Sequence, residues 1–316
     1  FILDRARASA SVRVWPIGAA STGSRGEAIA EIAAMREAGI VAVSDDGKPL
    51  ATAKLARHVM DYCRSLDLPV IEHAEDLSLA AGAVMREGVT STRLGLAGMP
   101  AAAEAICVAR DMQLAGLTGA RLHIAHLSAK ASLDEVRRAK QRGLRVTCEV
   151  TPHHFTLIDE DVRYDSRYKM NPPLASREDR DALLGGLADG AVDAIATDHA
   201  PHEPALKDVE FDRAPFGVLG FETALALALE QLVHAGRIPL MRMVELFTTG
   251  PARVLGIERK IAAGQPADLT IFSTDHAWTY EVKDSASKSR NSPFDGRKFK
   301  GAAMATIVGG RVVYSH

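Results

Sequence analysis

Short apolar segments alternate with amphipathic segments along most of this chain. Six apolar segments rich in β-branched residues have the length of buried strands, and they cover residues 12–18, 40–46, 68–75, 121–128, 145–154 and 191–199. Elsewhere apolar residues recur at helical spacing, over residues 26–38, 51–66, 101–117, 132–141, 177–187, 221–235 and 239–247. This alternation predicts a parallel sheet that is covered by helices.

Polar side chains that could bind a metal or a substrate stand where several of these strands end. Active sites of (β/α) barrels lie at the carboxyl ends of the strands, so we predict an α/β fold of the TIM-barrel type over residues 1–256. An open doubly wound sheet is the alternative. A closed barrel needs eight strands. Because the pattern supplies six, we expect an N-terminally truncated (β/α)8 barrel whose first two strands precede Phe1.

The pattern changes after residue 256. Residues 267–272, 303–308 and 311–314 are short alternating segments typical of β-strands, and glycines at 264, 309 and 310 supply turns between them. Residues 257–316 are therefore predicted to form a small β domain that packs on the barrel.

Composition narrows the class of protein. The chain has 316 residues, of which 47% are hydrophobic and 25% charged, as in an ordinary globular enzyme. Its net charge of −2 gives no electrostatic reason to expect nucleic acid or an anionic membrane as a partner. Three scattered cysteines, Cys63, Cys107 and Cys148, favour a reducing cytoplasm over a disulfide framework. No apolar run approaches the roughly 18 residues that span a bilayer.

Four strand ends carry metal-binding side chains. Each is weak evidence alone, because an Asp-Asp-Gly sequence is typical of a turn and a single histidine on an apolar strand is commonly a core residue. Strand alternation places His123 and His126 on opposite faces, and His126 lies nearer the strand end. Two imidazoles and two carboxylates suit Zn²⁺ or a similar divalent ion. The predicted ligands are Asp46, His73, His126 and Asp198; structural hydrogen bonding of the histidine pair is the alternative.

Three further segments could contact a ligand. Asn171 precedes two prolines that hold the chain extended, which would present its amide to a substrate; otherwise the segment is a rigid loop. Gly217 could let the backbone approach a substrate closely, or it could simply precede the next helix. His153 and His154 follow a predicted strand, and we favour a packing role for them.

Together these motifs resemble a known family. In chain order the motifs are Asp-Asp-Gly-Lys-Pro at 45–49, Glu-His-Ala-Glu-Asp at 72–76, His-Ile-Ala-His-Leu-Ser at 123–128, Asn-Pro-Pro-Leu at 171–174, Ala-Thr-Asp-His-Ala-Pro-His at 196–202 and Pro-Phe-Gly at 215–217. Their order resembles that of the bacterial dihydroorotases, in the amidohydrolase superfamily. The resemblance extends over essentially the whole chain. It implies a zinc-dependent cyclic amidohydrolase that interconverts dihydroorotate and N-carbamoyl-aspartate in pyrimidine synthesis.

The resemblance also implies roles for individual residues. Asp46 would bridge two zinc ions, and His73 and His126 would bind the second of them. Asp198 would bind the first zinc and act as the catalytic general base and then acid. The implied substrate-binding residues are Asn171, His202, Phe216 and Gly217. The resemblance further implies that the C-terminal β domain is half of a composite β-sandwich whose N-terminal half is missing.

One feature of the family is absent from this sequence. The family's first strand carries a His-x-His motif followed by an arginine that binds the substrate carboxylate, and a later asparagine assists in this binding. None of these is found here. We therefore expect at most one well-bound zinc and slow turnover. The alternatives are a hydantoinase or allantoinase, or a non-catalytic dihydroorotase-like subunit that partners aspartate transcarbamoylase. A homodimer is the default expectation for the oligomeric state.

Overall fold

The computed structural model describes all 316 residues, Phe1–His316. Eleven strands form three sheets. In chain order they are β1 (Ile17–Ala19), β2 (Ala42–Ser44), β3 (Val70–Glu72), β4 (Met85–Arg86), β5 (Gly98–Met99), β6 (Leu122–Ile124), β7 (Val146–Val150), β8 (Ala194–Ile195), β9 (Leu269–Thr279), β10 (Lys298–Val308) and β11 (Arg311–Ser315).

Twelve α-helices connect or follow these strands. They are α1 (Ile2–Ser9), α2 (Ile32–Glu37), α3 (Ala53–Ser65), α4 (Leu77–Ala80), α5 (Val89–Leu94), α6 (Ala101–Thr118), α7 (Lys130–Gln141), α8 (Arg177–Asp189), α9 (Pro204–Lys207), α10 (Ala224–Ala228), α11 (Leu240–Phe247) and α12 (Thr249–Leu255). A π-helical segment, Leu229–His234, continues α10.

The largest sheet has six parallel strands in the order β1-β2-β3-β6-β7-β8. Each strand is paired in parallel with its neighbours, so all six carboxyl ends lie at one edge. The predicted alternation of six parallel strands with helices is confirmed. The prediction that two more strands precede Phe1 and close the sheet stays a prediction.

The main core lies between this sheet and its helices. Alternate strand residues such as Val70, Leu122 and Val146 join buried residues of α3, α6, α7 and α8 in one cluster of 39 residues. Burying each aliphatic side chain contributes about 1.5–3 kcal/mol. The opposite face of the strands carries polar groups such as His123 and Glu149, which hydrogen-bond each other.

Several boundaries differ from the predictions, and the differences have physical causes. The last strand of the sheet was predicted over residues 191–199 but covers only Ala194–Ile195. Asp198 has a φ of 45°, which a strand residue does not adopt. The small parallel pair β4–β5 and helices α4 and α5 were not predicted, because residues 77–99 show no clear period. Helix α12 was missed as well.

The C-terminal strands form an antiparallel sheet in the order β11-β10-β9. The predicted small β region is confirmed, although β9 and β10 have 11 residues each and are longer than predicted. Between them, Tyr280, Val282 and Phe294 pack in one cluster with Phe211 and Leu219 of the segments beyond β8. The division into domains at residues 256 and 257 stays a prediction. No helix is both long and apolar enough to cross a membrane.

Gly250, at the start of α12, lies so close to the residue that precedes β8 that a side chain would not fit there. A Cβ on Gly250 would lie 2.1 Å from the carbonyl oxygen of Asp193 and 3.0 Å from that of Glu245. We expect Gly250→Ala to lower the free energy of unfolding by about 1–3 kcal/mol, because backbone must move to admit the methyl group. Denaturant unfolding followed by circular dichroism measures this change.

The matched control is Gly185→Ala in α8, where a Cβ would meet no atom within 4 Å. Because alanine is the better helix former, this variant should gain about 0.5–1 kcal/mol. A Gly250→Ala protein as stable as the parent would show that the packing described here is wrong.

Candidate metal centre and active site

Three side chains from three neighbouring strands converge at the carboxyl edge of the large sheet. His73 Nδ1 lies 3.0 Å from His126 Nε2, and Asp46 Oδ1 lies 3.3 Å from His126 Nε2 and 3.7 Å from His73 Nδ1. One ligand atom from each residue lies within 4.8 Å of the other two. Asp46 follows β2, His73 follows β3 and His126 follows β6, so the order of strands in the sheet brings them together.

The chemistry of this donor set fits a divalent cation. Two imidazole nitrogens 3.0 Å apart beside a carboxylate can share a proton or bind a metal ion. Burial lowers the pKa of His73, but hydrogen bonds with Asp46 and Glu75 outweigh it and raise the pKa to about 9. The site therefore takes up positive charge at neutral pH. Two imidazoles and one carboxylate are a common ligand set for Zn²⁺.

The other nitrogen of His73 is held by a carboxylate. His73 Nε2 donates to Glu75 Oε2 at 2.9 Å, and Asn171 Nδ2 donates to the same oxygen at 2.7 Å. Metal-binding histidines typically donate their second ring N–H to such a group, which fixes the ring and its tautomer. Nδ1 of His73 is thereby the nitrogen left for a metal.

The two adjacent acids at the end of β2 have separate roles. Asp45 is 4% exposed, and its carboxylate accepts from the backbone N–H groups of Ala20 and Ser21 at 3.0 and 2.9 Å and from the Ser21 hydroxyl. It ties the end of β1 to β2. The side chain of Asp46 is 55% exposed, and its carboxylate faces the two histidines. This position is consistent with the prediction of Asp46, and not Asp45, as the ligand.

The loop that carries Asp46 is held at its far end by a second anchor. Glu72 accepts from the Leu50 N–H at 2.8 Å, and Arg110 Nη1 donates to the Leu50 carbonyl at 3.0 Å. Arg110 also pairs with Asp111 at 2.8 Å and with Glu72 at 3.4 Å. Because Glu72 immediately precedes His73, this buried network joins the Asp46 loop directly to the neighbouring ligand strand.

Backbone conformation sets two of the candidate residues apart. Only four non-glycine residues have a positive φ, and two of them are His126 (31°) and Asp198 (45°). Such conformations cost about 1–3 kcal/mol and persist where the surroundings enforce them, often at functional sites. His123, three residues before His126, instead bonds Thr147 at 2.8 Å and Glu149 at 3.1 Å.

Asp198 lies near this centre but outside the group of three ligand atoms. Burial raises the pKa of its carboxyl, and the charges of Asp46 and Glu149 add to that effect while His126 and His73 oppose it. Its place as a fourth ligand and as the proton carrier stays a prediction. A carboxyl with a raised pKa accepts a proton more readily than an ordinary aspartate does.

The predicted substrate-binding residues fall into two places. Asn171 Nδ2 bonds Glu75 and also lies 3.2 Å from His73 Nε2. His202 and the segment 215–217 lie together beyond β8, where His202 Nε2 donates to the Phe216 carbonyl at 2.6 Å. A Cβ on Gly217 would lie 2.7 Å from Ala200 Cβ, and its φ is 137°, so this close approach requires glycine.

The packing role favoured for the histidine pair after β7 agrees with its surroundings. His154 Nδ1 lies 2.8 Å from Thr151 Oγ1, and Nε2 donates to the Pro172 carbonyl at 2.8 Å. Burial lowers the pKa of His154 to about 3, so the ring is neutral. It holds the segment that presents Asn171. His153 is also buried, and burial lowers its pKa as well.

Comparison with known proteins decides the family. Residues 19–313 match the amidohydrolase family. The chain is 54% identical over 317 residues to the dihydroorotase of Solibacter usitatus, covering 100% of this chain and 74% of that protein. It is 53% identical over 305 residues to the dihydroorotase of Pelotomaculum thermopropionicum, covering 96% and 71%.

This chain belongs to the dihydroorotase family of amidohydrolases. The resemblance found in the sequence motifs is thereby confirmed.

Solved structures of hydantoinases share the fold. An L-hydantoinase (dihydropyrimidinase) of Arthrobacter aurescens is 25% identical with a TM-score of 0.86, covering 99% of this chain and 73% of that chain. A D-hydantoinase of a Thermus species is 26% identical with a TM-score of 0.73, covering 83% and 60%. The predicted fold class, a metal-dependent hydrolase barrel followed by a small β region, is confirmed by these likenesses.

Some residues that shape the site were missed in the sequence analysis. Glu75 was visible only as part of the motif at 72–76, and Arg110 lies inside a long helix with no local signal. Asn291, only 3% exposed, donates to the carbonyls of Ala200 and Gly217 at 2.9 and 3.1 Å. Its segment follows β9, far from the other site residues in sequence.

The two histidines near the end of β6 give a matched pair for a test. We expect His126→Gln to weaken zinc binding at least tenfold, because it removes one of three clustered donors. His123→Gln should leave zinc affinity within about twofold of the parent, since His123 faces Thr147 and Glu149. Isothermal titration of the apoprotein with zinc measures both. Equal zinc affinity of the two variants would mean that His126 is not a ligand.

Proposed function

We propose that this chain is a zinc-dependent dihydroorotase, which opens the ring of dihydroorotate to N-carbamoyl-aspartate and closes it again. The observation that carries the proposal is the cluster of Asp46, His73 and His126 at the carboxyl edge of the sheet, in a chain of this family. The cluster supplies a cation site, and Asp198 supplies a carboxyl group beside it. Hydrolysis of a cyclic amide needs both.

Asp46 Oδ1, His73 Nδ1 and His126 Nε2 would hold the zinc. When bound, zinc makes water a nucleophile at neutral pH and polarises a carbonyl oxygen. Since the carboxyl edge of the sheet carries one group of three donors, Asp46, His73 and His126, we propose one well-bound ion there and slow turnover relative to a two-metal centre.

The protein's own groups would move the proton and hold the substrate. A carboxylate oxygen of Asp198 would accept the proton of the attacking water and return it to the ring nitrogen that leaves, and the raised pKa of Asp198 favours this uptake. Asn171, His202 and the backbone N–H of Phe216 would bind the polar edge of the ring and its carboxylate, and Gly217, which has no side chain, would let the substrate approach that N–H. Glu75 would keep Asn171 and His73 in fixed orientations through its two hydrogen bonds.

The cellular setting follows from the same proposal. Three buried free cysteines suit the reducing cytoplasm, where we place the protein. A homodimer and an association with aspartate transcarbamoylase remain predictions, and sedimentation alone and with that enzyme would test them. Since the ligand cluster and Asp198 are all present, we favour a catalyst over a non-catalytic subunit.

Replacement of Asp198 tests the proposed chemistry. We expect Asp198→Asn to lower kcat for dihydroorotate hydrolysis by about 10²–10⁴-fold, because the amide cannot carry the proton. Zinc held by the other three ligands should remain. The matched control is Asp193→Asn. Asp193 precedes β8, and its carboxylate pairs with Lys140 at 2.6 Å. The kcat of this variant should stay within a few-fold of that of the parent.

The assay also separates the related activities. With zinc supplied, the parent protein should turn over dihydroorotate and N-carbamoyl-aspartate but not hydantoin or allantoin. Hydrolysis of hydantoin or allantoin in preference to dihydroorotate would replace the proposed substrate. An Asp198→Asn protein as active as the parent would refute the role of Asp198.

A further inference from the structure

Lys207, at the end of α9, is a buried lysine whose ammonium group bonds only to main-chain carbonyls. The residue is 7% exposed. Its Nζ donates to the carbonyls of Pro215 at 2.9 Å, Gly217 at 3.1 Å and Lys169 at 3.3 Å. Burial and the nearby charge of Lys169 lower the pKa of Lys207 to about 8, so at neutral pH the amine is mostly protonated and keeps three donors.

These bonds determine which way the backbone of residues 215–217 faces. Lys207 holds the carbonyl of Pro215 and shares that of Gly217 with Asn291. The carbonyl of Phe216 is held by His202. The Gly217 N–H donates to the Lys169 carbonyl at 2.9 Å. Proline has no N–H, so the Phe216 N–H is the one backbone group of this segment that bonds to nothing in the protein.

The segment lies against the chain that follows β8 and Asp198. The N–H of Ala200 donates to the Val218 carbonyl at 3.0 Å, and His199 and Val218 form a parallel bridge. Ala200 is two residues beyond Asp198. The free N–H of Phe216 therefore belongs to a segment that is bonded to the residues directly after Asp198.

We propose that Lys207 is a positioning residue, which holds residues 215–217 so that the Phe216 N–H is kept free to bind an anionic oxygen of the ligand. A carboxylate fits best, because Lys169 and Lys207 both place positive charge at this segment. Loss of the ammonium would leave the Pro215 carbonyl without a partner and would remove one of two donors from the carbonyls of Gly217 and Lys169. The backbone that presents the N–H would then be held less firmly. The identity of the ligand as dihydroorotate rests on the proposed function; the role of Lys207 does not.

Hydrogen exchange of the ligand-free protein tests the positioning role without any activity. In Lys207→Met, backbone amides of residues 212–220 should exchange at least tenfold faster than in the parent, as measured by mass spectrometry. The matched control is Lys140→Met, because Lys140 Nζ also donates to a main-chain carbonyl, that of Ala191 at 2.7 Å. Its exchange at 212–220 should equal that of the parent. Unchanged exchange in Lys207→Met would overturn the proposal.

Ligand binding gives the second readout. Lys207→Met should bind dihydroorotate at least tenfold more weakly, while its zinc affinity stays within twofold, since the zinc ligands lie on other strands. Faster exchange with unchanged dihydroorotate affinity would overturn the ligand-presenting role. If the parent itself bound no dihydroorotate, the proposed function would fail, while the exchange experiment would still decide the role of Lys207. Lys207→Gln, which keeps a polar donor, serves if the methionine variant does not fold.

Discussion

The close approach of two imidazole nitrogens beside a carboxylate is the constraint on which the rest of this molecule depends. His73 Nδ1 and His126 Nε2 lie 3.0 Å apart, a separation at which the two nitrogens either share a proton or bind a common cation. Asp46 supplies the balancing negative charge. Burying these polar atoms is costly unless each has a partner, and here each histidine is paired with the other and with a carboxylate.

The surrounding structure holds this arrangement from several sides. Asp45 ties the beginning of the Asp46 loop to β1, and the Glu72–Arg110 network ties its end at Leu50 to the His73 strand. Glu75 fixes the His73 ring from behind. These contacts explain how Asp46, whose side chain is half exposed, can hold a defined position beside the two histidines. They also explain why polar groups such as Glu72 and Arg110 are retained in a largely apolar layer.

The order of elements could be predicted from the sequence because strands and helices have different periods and alternate strictly. Candidate ligands could be proposed because apolar segments are followed by Asp46, His73, His126 and Asp198, and the first three of these converge in the structure. Strand ends could not be located, since the positive φ values of His126 and Asp198 depend on tertiary contacts. The contacts of Arg110 and Asn291 could not be predicted either, because Arg110 bonds a carbonyl 60 residues away and Asn291 bonds one 91 residues away.

Anomalous diffraction at the zinc edge from crystals grown with zinc tests the central claim most directly. The account predicts one strong peak, within about 2.0–2.2 Å of Asp46 Oδ1, His73 Nδ1 and His126 Nε2. A zinc ion bound elsewhere, with these three side chains unliganded, would contradict it.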